Sequence, residues 1–242
     1  EHADDLRIAT TVDAGPSGAS HSAVHVLRRE GARLIEVGRT GDLGRGERIY
    51  AVRYAGPLGF VVTFRQVDPL YTLDLSDPTA PEVLGELKIP GYSAYLHPIG
   101  QDHLLGIGQD ATAEGRVQGL QVSLFDLSDL ATPERVGTIG LGAQTSSPVE
   151  YDHRALLAWP DRDLVALPVE RWDAGSSGVL VLTADDGGRL VDRGTIALPT
   201  DEEQAGWPVR ALVIGERLVV VSGGAVLTAD LDSLDVLGSI RL

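Results

Sequence analysis

The chain contains no cysteine and no methionine, and asparagine is also missing. Without cysteine there is no disulfide, no thiolate metal site and no cysteine nucleophile. Lysine is nearly absent, since Lys88 is the one lysine among 20 basic residues. Lacking Asn and Met removes two heat-labile residues, as in heat-adapted proteins; a GC-rich coding sequence would give the same arginine bias. Positive charge is also short, with 20 basic against 35 acidic residues and a formal charge of −15. Nucleic acid and anionic lipid both require clustered Lys/Arg, so neither is an expected partner. No apolar run reaches the ~18–20 residues of a membrane span, so no membrane insertion is expected. The opening "EHADDLRIATTV" lacks a basic region followed by an apolar stretch and reads as an interior segment.

What the sequence has is repetition. "DLSDPTAPEVLGELKIPG" (74–91) returns as "DLSDLATPERVGTIGLG" (126–142). Gly85 lies eleven residues after Asp74, which ends the strand-like "LYTLD", and Gly137 lies eleven after Asp126, which ends "VSLFD". Gly38 and Gly194 follow "AVHVL" and "VLVLT" at the same spacing, and Gly238 repeats the theme with a shorter turn. The five glycines are 47, 52, 57 and 44 residues apart. Periods of ~40–50 residues built from short strands mark propeller blades.

Each unit reads as a hairpin whose turn is rich in Asp, Ser and Pro. Two further apolar runs separate successive hairpins, for example "YSAYLHPI" and "HLLGIGQ" after Gly85. Each period therefore holds four strands, here called a to d, and no sustained 3.6-residue apolar stripe is present. The expected fold is all-β: a β-propeller of four-stranded antiparallel blades, as a single domain over 1–242 or the C-terminal part of one. Its units fall at roughly 6–44, 45–91, 92–142, 143–199 and 206–242, either as a five-bladed ring or as part of a larger one. The first unit lacks an evident a strand. An open β-sandwich or stacked β array is the alternative.

The stretch 46–99, together with "GLQVSLFDLSDLATPERVG" (119–137) and "VEYDHRALLAW" (149–159), resembles a family of bacterial and archaeal secreted proteins. These carry a C-terminal β-propeller distantly related to WD40 repeats. The resemblance covers roughly residues 20–242 and is most specific before Val169. It implies a secreted or cell-surface location and longer full-length members, and it brings no catalytic set with it. The "WD" at Trp172–Asp173 falls in a loop and is not the WD40 repeat signature.

Several motifs invite chemistry and are better read as structure. "GIGQDA" (106–111) fits a dinucleotide fingerprint, but a loop follows it where a helix is required, so no cofactor is expected. The "DLSD" pairs lack the glycine and distal glutamate of a calcium loop, so Asx turns are expected and no metal. There is no G-x-S-x-G and no triad spacing, so no catalytic residues are assigned. His97 and His153 are placed in a strands near the axis. Asp68, in the b–c turn, and Asp152, beside His153, are their candidate structural partners.

Loop lengths locate a candidate site. The a–b and c–d turns are short and uniform, whereas the b–c and d–a loops vary, and these emerge on one face of an up-and-down blade. Loops on a rigid scaffold commonly carry binding. The candidate binding face comprises Asp110, Glu114, Glu170, Trp172, Asp173, Glu202, Glu203 and Trp207; tryptophan is favoured at contact surfaces. The expected function is a non-catalytic extracytoplasmic binding or scaffold module for a protein or cell-envelope component. The alternative is a hydrolase acting on polysaccharide or peptide at the channel mouth.

Overall fold

The computed structural model describes residues 1–13, 19–64, 67–112, 114–198 and 208–242, and of residues 67, 68 and 208 the backbone alone. Five antiparallel sheets follow one another along the chain. The first holds β1 (Asp5–Val12), β2 (His21–Glu30) and β3 (Arg33–Arg39). The second holds β4 (Arg48–Ala55), β5 (Leu58–Phe64), β6 (Val67–Asp74) and β7 (Glu82–Pro90), and the third β8 (Tyr92–Ile99), β9 (His103–Ala111), β10 (Val117–Asp126) and β11 (Glu134–Gly140). The fourth holds β12 (Thr145–Ser146), β13 (Leu157–Trp159), β14 (Leu164–Arg171), β15 (Ser176–Ala184) and β16 (Leu190–Ala197). The fifth holds β17 (Pro208–Ile214), β18 (Arg217–Ser222), β19 (Ala225–Asp230) and β20 (Val236–Arg241).

The middle strands of the sheets, such as β9 and β14, are buried almost throughout. That follows from their sequences, because a strand covered on both faces reads as a continuous apolar run. Four apolar cores lie in the four gaps between consecutive sheets. Val24 with Val61 and Leu73 fills the first, Val62 with Leu96 and Phe125 the second, Leu124 with Leu167 and Leu180 the third, and Val179 with Leu218 and Leu227 the fourth. Sheets packed face to face in series around an axis form a β-propeller.

Two departures from strict repetition matter. The first sheet has three strands among the described residues, because no a strand pairs with β1. In the fourth sheet the a strand is split: β12 and β13 both pair with β14, and two 3-10 turns, Pro148–Glu150 and His153–Ala155, stand between them. Ser147 caps the first turn. Its backbone N–H is bonded by Glu150 Oε2 at 3.0 Å while its hydroxyl accepts from Val149 N at 3.3 Å, a reciprocal capping box.

The repeated glycines occupy one structural position. Each lies opposite a β-bulge in its c–d hairpin: Gly38 pairs with Val26, Gly85 with Thr72, Gly137 with Leu124, Gly194 with Val181 and Gly238 with Thr228, with the register shifting at the next residue every time. The reason for glycine is the neighbouring sheet. A Cβ on Gly85 would strike the Leu130 carbonyl and stand 2.8 Å from that of Ala131; one on Gly38 would strike the Pro78 carbonyl. At Gly137 the neighbour is Leu190 at 3.1 Å, and at Gly194 it is Leu234 at 3.5 Å. The c–d turn of each sheet thus seats on the glycine of the sheet before it.

The "DLSD" turns are shaped for that role. Asp74 and Asp77 accept the backbone N–H of Ser76 and Thr79, both at 2.8 Å, and Asp126 and Asp129 do the same for Ser128 and Ala131. All four carboxyls are held below the usual aspartate value, Asp74 and Asp77 chiefly by hydrogen bonds from the Ser76 and Thr79 side chains and then by the N–H groups, Asp126 and Asp129 chiefly by the Ser128 and Ala131 N–H groups. The leucine after the first aspartate is buried and ties the turn to the a–b turn of its own sheet: Leu75 N donates to Pro57 O at 2.8 Å and Leu127 N to Asp102 O at 2.7 Å.

Candidate functional site

The break in the inner strand of the fourth sheet builds a hydrogen-bonded polar cluster among the described residues of the loop face. Because the chain turns at Pro148 instead of continuing as strand, Glu150 and Tyr151 are delivered beside β14. Glu150 is fixed in place: Gln109 Nε2, from the end of β9, donates to both its oxygens at 2.8 and 2.9 Å. Glu170, at the end of β14, is 8% exposed and accepts the Ser146 hydroxyl at 3.2 Å. Burial pushes the Glu170 carboxyl above the usual glutamate range; the Ser146 hydrogen bond pulls against this and the charge of Glu150 adds to it.

Aromatic side chains surround the two carboxylates. Trp172 follows β14, and its indole Nε1–H donates to Ser146 Oγ at 3.0 Å while its backbone N–H donates to Gln144 O at 2.9 Å. The ring is therefore held outward, 56% exposed. Tyr151 is 81% exposed, and the charge of Glu170 is felt at its hydroxyl. On the other side of Glu150, Tyr50, Phe64 and Tyr92 form a triangle with centroid separations of 5.4, 4.7 and 4.9 Å. Burial raises the Tyr92 hydroxyl pKa, with the nearby Glu150 charge the next contribution.

Of the residues expected on the binding face, Glu170 and Trp172 are brought together through Ser146, and Asp173 follows them in an exposed turn. Asp110 and Glu114 lie on the same face in the third sheet, away from that hydrogen-bonded cluster. Asp110 accepts the Ala111 N–H at 2.9 Å, and Glu114 reaches Arg116 at 3.9 Å. Glu202, Glu203 and Trp207 lie outside the described residues. Tyr50, Phe64, Tyr92, Gln109 and Tyr151 are additions; none carries a motif, and only their convergence from three sheets marks them.

The histidine pairings differ from expectation. His97 does lie in an inner strand, β8, but its Nδ1 meets the Tyr95 hydroxyl at 3.1 Å, not a carboxylate. Burial, followed by the charge of Arg53, depresses its pKa to about 4. It lines a cavity of about 130 Å³ with Trp159, Pro160, Asp163 and Asp186 on the opposite, short-turn face. His153 is not in a strand: it is exposed in the second 3-10 turn, where Asp152 caps the Arg154 N–H at 3.0 Å instead of bonding the imidazole. Asp68 has its backbone in β6, opposite Ile89, and its side chain lies outside the described residues. Among the described residues no group of three or more His, Asp or Glu side chains could hold a metal.

A series of antiparallel sheets with a polar, aromatic-rimmed mouth defines a propeller module. The family model for the beta propeller domain matches residues 1–234, and the chain belongs to that family. It is 36% identical over 237 residues to an uncharacterized protein of Archaeoglobus fulgidus, covering 98% of this chain and 33% of that protein. An uncharacterized protein of Methanocaldococcus jannaschii is 42% identical over 158 residues, covering 65% of this chain and 24% of that one. The chain thus spans about a third and a quarter of these relatives' lengths. Among solved structures, Chaetomium thermophilum Sqt1 aligns with a TM-score of 0.57 and 15% identity over 99% of this chain and 59% of Sqt1. Sqt1 bound to the N-terminus of ribosomal protein L10 aligns with a TM-score of 0.56 and 17% identity, over 97% of this chain and 60% of Sqt1. These likenesses are of fold.

Proposed function

We propose that this propeller is a non-catalytic binding module, acting outside the cytoplasm, that takes a protein or cell-envelope partner on its loop face. The carrying observation is Trp172, more than half exposed yet fixed by two hydrogen bonds beside buried Glu170. A preoriented aromatic loses little conformational freedom on binding, which favours it as an anchor. The acidic pair beside it selects for a basic or hydrogen-bond-donating partner segment. A protein partner has a parallel in Sqt1, whose crystal structure holds the N-terminus of ribosomal protein L10, although that likeness is one of fold alone.

The test is retention of envelope-extract proteins on the immobilised chain, followed by cross-linking to locate the contact. Wild-type protein retains a defined partner cross-linked near Trp172, and a Trp172→Ala/Tyr151→Ala variant loses it. Retention of the same set by both would remove the loop face from consideration. A second reading, hydrolysis of polysaccharide or peptide at the mouth, draws on the raised pKa of Glu170, as expected of a general acid. It requires an activity that Glu170→Gln abolishes.

A further inference from the structure

In four of the five hairpins the glycine is followed by two apolar residues at alternate positions: Gly85-Glu-Leu87-Lys-Ile89, Gly137-Thr-Ile139-Gly-Leu141, Gly194-Thr-Ile196-Ala-Leu198 and Gly238-Ser-Ile240-Arg-Leu242. Alternation in a strand puts the glycine and both apolar residues on one face. In the first three cases that face is covered by the next sheet. Leu87 and Ile89 belong to the core between the second and third sheets, Ile139 and Leu141 to the next core, and Ile196 and Leu198 to the one after. In the fifth sheet nothing among the described residues covers the same face. Ile240 is 66% and Leu242 73% exposed, and only Thr228 Oγ1, at 4.0 Å, comes near where a Cβ on Gly238 would stand.

One further residue specifies the occupant. Thr72, paired with Gly85, is fully buried, and its hydroxyl donates to Leu130 O in the incoming turn at 2.5 Å. The residues at this position in the first, third and fourth sheets are Val26, Leu124 and Val181, but in the fifth it is again a threonine, Thr228. The bare face therefore repeats the second sheet's acceptor surface: a glycine notch, a threonine hydroxyl and two aliphatic side chains, with the Thr228 hydroxyl turned back onto Gly238 O by a long 3.4 Å bond that an incoming carbonyl would replace. What seats on the second sheet is the third, through its "DLSDLATPE" turn.

We propose that the outer face of β19–β20 is a docking surface for a further four-stranded blade of the same type. That blade carries an Asp-Leu-Ser-Asp-like turn whose backbone seats on Gly238 and accepts a hydrogen bond from Thr228. The archaeal relatives contain ample additional sequence from which such a blade could come, since this chain matches 33% and 24% of them.

The experiment uses the full chain, alone and extended after Leu242 by a second copy of residues 90–142, with amide hydrogen exchange as the readout. In the extended chain the amides of 236–242 are expected to exchange at least about tenfold more slowly than in the unextended one. Gly238→Val should abolish that protection. In the unextended chain, Gly238→Val should leave the melting temperature unchanged whereas Gly85→Val lowers it. Equal exchange with and without the extension, or protection that survives Gly238→Val, would overturn the proposal. So would equal melting losses at Gly85 and Gly238 in the unextended chain, because that face would already be filled. Concentration-dependent protection of 236–242 in the unextended chain would give the surface to a second copy and would also overturn it.

Discussion

The Thr72 hydroxyl donates a 2.5 Å hydrogen bond to the carbonyl of Leu130, which lies 58 residues on and in the next sheet. The bond sits beside the notch of Gly85, where the same turn lies too close for any side chain. Thr72→Val keeps shape and removes the donor, leaving the Leu130 carbonyl without it. The expected loss is about 1–3 kcal/mol of unfolding free energy by urea titration, with Thr72→Ser recovering most of it. A Val variant as stable as wild type would mean that the contact contributes nothing net.

Gly85→Ala tests the notch itself. The added methyl group would meet backbone atoms of Leu130 and Ala131, which cannot rotate away as a side chain can. Overpacking of this kind costs about 1–3 kcal/mol. Because the steric conflict lies between sheets, the loss should appear as a lower urea midpoint together with faster amide exchange in the Asp126–Glu134 turn. Gly31→Ala is less informative as a control, since Gly31 has open space around it but a φ of 61° that penalises a side chain for another reason.

The repeat was legible in the sequence because its determinants are local. Asx-turn residues, the bulge glycine and the aliphatic pair after it all fall within about twenty residues, so spacing alone reveals them. The candidate site is assembled differently. Tyr50, Tyr92 and Glu150 come from the second, third and fourth sheets, and no linear pattern records that convergence. His153 was misplaced for a related reason. "RALLAW" has the composition of a strand, but Pro148 and the Ser147–Glu150 capping box fold the stretch before it into turns, so that of "RALLAW" itself only Leu157–Trp159 pair with β14. Glu170 and Trp172 are legible as loop-face residues because they sit where a rigid strand enters a variable loop.

The half-buried His97 should make stability depend on pH in a defined window. Its folded pKa, about 4, lies below the ~6.5 of an unfolded histidine. The unfolded chain therefore binds this proton more readily, and stability is full above about 6.5 and falls as pH drops toward 4. Melting temperature followed from pH 7.5 to pH 4 should decline through that interval, and His97→Gln should flatten the decline. Below about pH 4 a second loss is expected as Asp74, Asp77, Asp126 and Asp129 protonate, since their folded values are depressed and their stabilisation is present only above the unfolded value. A profile with no slope between pH 6.5 and 4, or one unchanged by His97→Gln, would show that the imidazole is not held neutral.

Glu170 has the opposite sign. Its folded pKa is raised, chiefly by burial, so the folded state prefers the protonated acid, and stability is lost as pH rises from the unfolded value of about 4.3 through the folded one. Glu170→Gln mimics the neutral form at every pH while keeping an oxygen that can accept from the Ser146 hydroxyl. The variant should match wild type in stability below about pH 4 and exceed it near pH 7, by up to about 1 kcal/mol because the Ser146 hydrogen bond offsets part of the burial cost. Urea midpoints of both proteins at the two pH values decide the matter. A variant less stable than wild type at pH 7 would mean that the ionised carboxylate is stabilised in place, and that the cluster at the mouth holds its negative charge without cost before any partner arrives.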